Sequence, residues 1–94
     1  MNRYVIERDL PGVGTLTADQ LNQTRETSNA AFRATGPGIQ WDQSYVTGDR
    51  IYCVYLAENE DLVREHAKRA GLPCTKISEV HAVVDTMMTT LQHA

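Results

Sequence analysis

The sequence predicts a single α+β domain of the ferredoxin-like type, β-α-β-β-α-β, an antiparallel sheet with both helices on one face. Three observations carry this. Four runs with two-residue alternation are interrupted twice by segments with helical periodicity and helix-capping residues, in the order a split βαβ arrangement needs. A short Gly-containing link, Thr47-Gly48-Asp49-Arg50, joins the middle two runs as a hairpin. Finally, 94 residues with 41% hydrophobic content can bury one core and not two, because burial per residue falls as domains shrink.

The elements follow in order. Arg3 to Glu7 alternates bulky and charged residues, and Pro11-Gly12 with Gly14 ends the run. Thr17 and Gln20 have capping-box spacing, and Leu16 and Leu21 have the spacing of a hydrophobic staple, so a helix starts at Ala18. Its inner stripe is Leu21, Thr24, Ser28, Ala31, Phe32 and Thr35, small enough to imply close approach to the sheet, and Gly36-Pro37 stops it. Ile39 to Thr47 and Ile51 to Ala57 are the hairpin strands. Asn59 caps a second helix through LVREHAKRA, which Gly71 and Pro73 end. Ile77 to Val84 is the last strand. The domain is therefore residues 1–86, and residues 87–94 form a C-terminal tail.

Charge and cysteine usage narrow the function classes. A net charge of −3 leaves no basic surface to neutralise phosphates, so nucleic acid is not an expected partner. The N-terminus enters an alternating charged run rather than a signal-peptide core, and no apolar run approaches a membrane span, which together predict a cytoplasmic protein without a membrane partner. Cys53 and Cys74 lack CxxC spacing and read as reduced thiols, Cys53 as a buried small hydrophobe. There is no GxSxG motif or phosphate loop, and no Cys-His pair whose proximity can be argued from spacing, so no residue is assigned a catalytic role.

A four-stranded sheet with both helices on one side leaves its other face open, and a second copy is the expected cover, making a homodimer. Alternation in the second strand puts Ile39, Trp41, Gln43 and Tyr45 on one face. In the last strand the small apolar set Ser78, Val80, Ala82 and Val84 is expected under the helices, which sends Glu79 and His81 to the open face. Trp41, Gln43, Tyr45 and Tyr55 then line a dimer face or a ligand pocket. The pocket reading describes a small-molecule binder or enzyme of the dimeric α/β-barrel kind, with a site walled by Trp, Tyr and His.

Only His66, His81 and His93 offer imidazole nitrogen for a borderline divalent metal such as nickel or zinc. His66 lies at the edge of the second helix's apolar stripe with Leu62, Val63 and Ala70, and Glu65 lies farther round. Glu79 and His81 share a strand face and form a two-ligand edge. His93 is close to the C-terminus. Glu7 ends its strand either in solvent or against Arg64 or His66.

Several segments carry a family resemblance: Tyr4-Val5-Ile6-Glu7-Arg8 with Pro11-Gly12, Gly38-Ile39-Gln40-Trp41, Ser44-Tyr45-Val46-Thr47, Ile51-Tyr52-Cys53-Val54-Tyr55 and Arg64-Glu65-His66-Ala67. Together, over roughly residues 3–86, they resemble a bacterial family of small ferredoxin-like domains of unknown function, described in part as nickel-binding or nickel-responsive. The resemblance implies a dimer with surface sites for divalent metal, Ni²⁺ above all, and carries His66 over first as a ligand. The resulting expectation is a homodimeric metal-binding protein with ligands drawn from His66, His81, Glu79 and Glu65.

Overall fold

In the computed structural model, which describes residues 1–92, the first strand β1 (Asn2–Asp9) leads through a single 3-10 turn at Val13–Thr15 into helix α1 (Ala18–Thr35). The hairpin β2 (Ile39–Val46) and β3 (Arg50–Ala57) follows, then helix α2 (Glu60–Ala70) and strand β4 (Lys76–Glu79). The four strands form an antiparallel sheet in the order β2-β3-β1-β4, with β1 and β3 central. This is the ferredoxin-like arrangement that the element order predicts.

Local chemistry fixes both helices. Thr17 Oγ1 accepts from the Gln20 amide at 3.2 Å while Gln20 Oε1 accepts from the Thr17 amide at 2.9 Å, a complete capping box. Asn59 Oδ1 accepts from the Leu62 amide at 3.0 Å, with Glu60 and Asp61 beside the positive end of the α2 dipole. Gly71 ends α2 in the left-handed region, φ 68°, where its amide reaches the Ala67 and Lys68 carbonyls. Thr17→Ala should lower stability by about 1 kcal/mol in urea denaturation, and Thr17→Ser, which keeps the acceptor, should stay near wild type.

Strand parity sorts the sheet into two faces. Tyr4, Ile6 and Arg8 of β1 stand opposite Tyr55, Cys53 and Ile51 of β3, all of them buried under the helices. With Ile39, Ala57, Phe32, Val63 and Val13 they form the core. The other face carries Val5, Tyr52, Val54 and Leu56, and Glu7 pairs there with Arg50 at 3.0 Å, so it meets neither Arg64 nor His66.

Three expectations need correction. Between Trp41 and Gln43 the register of β2 shifts, so Trp41 stands opposite Tyr55 on the helix face while Gln43 and Tyr45 oppose Val54 and Tyr52 on the open face. The four-residue alternation of β2 is thus split by a bulge at Asp42. In β4, Ile77 opposes Ile6 and Glu79 opposes Tyr4, which places them on the helix side and Ser78, opposite Val5, on the open side. That inverts the expected faces, because the register with β1 decides them rather than side-chain size. Finally, β4 stops at Glu79. Residues beyond it form a separate hairpin, β5 (Ala82–Val84) with β6 (Thr89–Leu91), closed by Asp85 Oδ1 accepting from the Met87 and Met88 amides at 2.8 and 2.9 Å. Much of the expected tail is therefore ordered structure.

α1 does not lie flat on the sheet along its length. Its fully buried residues, Ser28, Ala31 and Phe32, are all in the C-terminal half, and Leu21 and Thr24 are only half-buried. The small inner residues leave a cleft under the N-terminal half instead of drawing it close. The 3-10 turn forms a second wall nearby: Gly14 approaches the β2–β3 link so closely that a Cβ there would sit 2.7 Å from the Thr47 carbonyl oxygen. Alanine at position 14 would push these segments apart.

Candidate functional site

The buried face of the sheet brings together more chemistry than the open one. Arg8 follows Tyr4 and Ile6 at period two, so its side chain enters the core and is fully buried. Its Nη1 donates to the Pro73 carbonyl at 2.7 Å and its Nη2 to the Tyr55 hydroxyl at 3.1 Å, while Nε has no partner. None of the ion pairs among the described residues includes it. A guanidinium cannot shed its proton at physiological pH, so this is a fixed buried cation held by neutral dipoles alone. Burial pushes the Tyr55 hydroxyl well above its ordinary pKa, and that phenol stays protonated.

Four rings, Tyr55 among them, pack against one another in the same core. Phe32 of α1 lies 3.8 Å from the His66 ring of α2 in a stacked arrangement, 4.9 Å from Tyr55 edge-on, and 5.9 Å from Trp41. His66 also meets Tyr55 edge-on at 5.3 Å. The His66 ring is fully buried and lies at the middle of the α2 stripe, between Val63 and Ala67, rather than at its edge. Its Nε2 is 3.3 Å from both the Ser28 carbonyl and hydroxyl oxygens. A carbonyl can only accept, so Nε2 carries the ring proton and Nδ1 is left as a buried lone pair without a donor. Burial lowers the His66 pKa to about 4, helped by the nearby Arg8 charge and opposed by the Ser28 carbonyl, so the imidazole is neutral at pH 7.

The metal candidates do not come together within one chain. His66 is sealed in the aromatic stack, and Glu65, on the outer face of α2, pairs with Arg69 at 3.3 Å. Glu79 is exposed on the edge strand β4, and His81 is exposed in the short link between β4 and β5. Among the described residues no three His, Cys, Asp or Glu side chains converge closely enough to hold a metal ion, and His93 lies outside those residues. The described side chains of one chain therefore do not by themselves fit a resident nickel ion. Of the residues expected to share the open face, Gln43 and Tyr45 hydrogen-bond to each other there, while Trp41 and Tyr55 face the helices.

Two comparisons place the chain among known proteins. The family model described as nickel responsive protein SCO4226-like matches residues 4–80. The chain belongs to this SCO4226-like family. The crystal structure of SCO4226 from Streptomyces coelicolor A3(2) is similar over 83% of this chain and 94% of that one, with a TM-score of 0.69 and 22% identity. That likeness shows a shared fold. No curated protein matches the chain. The SCO4226-like match runs from within β1 through β4 and stops before the β5–β6 hairpin.

Sequence reasoning missed Arg8 as a site residue, although the spacing of Tyr4, Ile6 and Arg8 in β1 was enough to put it on the buried face. It placed Ser28 on the inner stripe of α1 without seeing its contact with His66, and left Ser44 without a role. Ser44 accepts the Trp41 indole N–H at 2.9 Å, a contact that only the bulge at Asp42 makes accessible.

Proposed function

We propose that this SCO4226-like protein is a homodimer that responds to nickel through ligands shared between two copies, Glu79 and His81 from each. The family supplies the nickel, and one observation carries the sharing: the exposed donors near the end of β4 occur as a pair, and no third joins them among the described residues of the chain. A two-fold axis beside this edge doubles the pair to two imidazoles and two carboxylates, a mixed nitrogen and oxygen set suited to Ni²⁺. The same end of the molecule presents apolar surface for a partner. Val84, Met87, Met88 and Leu91 of the β5–β6 hairpin are 72%, 88%, 62% and 67% exposed, a cluster that a lone small domain rarely leaves in water.

Isothermal titration with Ni²⁺ and sedimentation velocity on the same samples test this reading. Wild type should sediment as a dimer and bind one Ni²⁺ per two chains, and His81→Ala or Glu79→Ala should weaken binding by at least about tenfold. Glu65→Ala should leave it unchanged. A monomer, or nickel binding that survives the His81→Ala, Glu79→Ala double variant, would overturn the proposal.

A further inference from the structure

We infer that the cleft between the N-terminal half of α1 and the sheet is a binding site for a small organic monocarboxylate with an apolar body, its carboxylate held by Arg8 and Tyr55. This site is separate from the nickel reading and does not rest on it.

The cleft has a volume of about 130 Å³, with Arg8, Cys53 and Tyr55 as its floor and Trp41, Leu21 and Leu72 among its walls. It adjoins a second hollow of about 230 Å³ beside the 3-10 turn, which shares Leu21, Thr24, Ile51 and Leu72 with it. Apolar cavities near 150 Å³ admit a benzene-sized guest, so the inner cleft suits one ring or a short branched chain, with the outer hollow as room for extension.

The charge of the lining selects the ligand's head group. Two cations, Arg8 at the floor and the exposed Arg25 toward solvent, line the cleft, and no Asp or Glu does, in a chain whose net charge is −3. Leaving a buried cation without a counter-charge is costly, and an incoming carboxylate would offset that cost. The donors are in place. Arg8 Nε is unpartnered, and the Tyr55 hydroxyl, which accepts from Arg8 and lies beside the Cys53 thiol, can turn its hydrogen from that weak acceptor to a carboxylate oxygen. Ser44 similarly accepts from Trp41 and retains its O–H. A guanidinium matches the planar carboxylate in a way an ammonium does not. The apolar walls argue against a doubly charged phosphate and against a second charge on the guest, because neither would find a partner there.

Trp41 is the chain's single tryptophan and lines the cleft, so its fluorescence reports occupancy directly. The full chain is titrated with isovalerate and phenylacetate, and in parallel with their neutral amides, which match them in shape. Both acids should give a saturable change in Trp41 emission at millimolar or lower concentration, and the amides should bind at least about tenfold more weakly. Arg8→Gln should lose acid binding. Thr24→Phe, which fills the cleft from α1 and leaves Arg8 intact, should lose it as well, and serves if the Arg8 variant does not fold. No saturation by either acid, amides that bind as tightly as the acids, or binding that persists in folded Thr24→Phe would each overturn the assignment.

Discussion

Phe32→Ala should lower the unfolding free energy by roughly 3–5 kcal/mol, a large share of the total of a domain this small. The residue is the one large buried side chain that α1 contributes; its other fully buried residues are Ser28 and Ala31. Its ring contacts β2 through Trp41, β3 through Tyr55 and α2 through His66, at 5.9, 4.9 and 3.8 Å between centroids. No neighbour can fill the space without leaving a partner, since His66 is tied to Ser28 and Trp41 to Ser44. Urea denaturation should show a lower midpoint at an unchanged slope, the mark of lost stability rather than altered compactness. Phe32→Leu, which keeps part of the volume, should lose less. A loss below about 1 kcal/mol for the alanine variant would mean that Trp41 swings into the vacated space and the stack is not what fixes α1.

How far the sequence speaks depends on whether a feature is set locally. α1 is legible because its capping box, stripe and Gly36 stop all lie within twenty residues, and every residue of the predicted stripe is buried or half-buried. The hairpin is legible for the same reason. The faces of β2 and β4 are not. IQWDQSYV alternates without a glycine or proline to announce a bulge, yet Asp42 steps out of register and its carboxylate meets Arg3 at 2.8 Å. That contact crosses 39 residues of chain and no local pattern encodes it. β4 pairs with β1 over only four residues, so its face is set by Ile77 meeting Ile6, again a long-range fact. The aromatic cluster consequently moves. Trp41 and Tyr55, read as contents of the open face, line the helix side beside Arg8, and the chemistry of the domain moves with them. What remains outside is Gln43 and Tyr45 on the open face, with Glu79 and His81 near the edge strand.

Stability should fall as the solution is acidified from neutral pH toward about pH 4, with His66 as the cause. Burial holds its folded-state pKa at about 4, whereas an unfolded chain returns it to about 6.5. As pH drops through the unfolded value, the unfolded state takes up a proton that the folded state refuses, so the slope of stability against pH is positive across this window. The contribution is present above about pH 6.5; about 2 kcal/mol of it is gone by pH 5 and roughly 3 kcal/mol by pH 4, with the loss complete only below the folded-state pKa. Much of this window lies above the pH range in which unperturbed carboxylates take up protons. His66→Phe keeps a ring against Phe32 and removes the titrating nitrogen, so urea midpoints measured from neutral pH to pH 5 should be nearly flat in that variant and fall in wild type. Equal slopes in the two proteins would show that His66 is protonated in the folded state and that the ring is less sealed than its contacts with Phe32, Tyr55 and Ser28 imply.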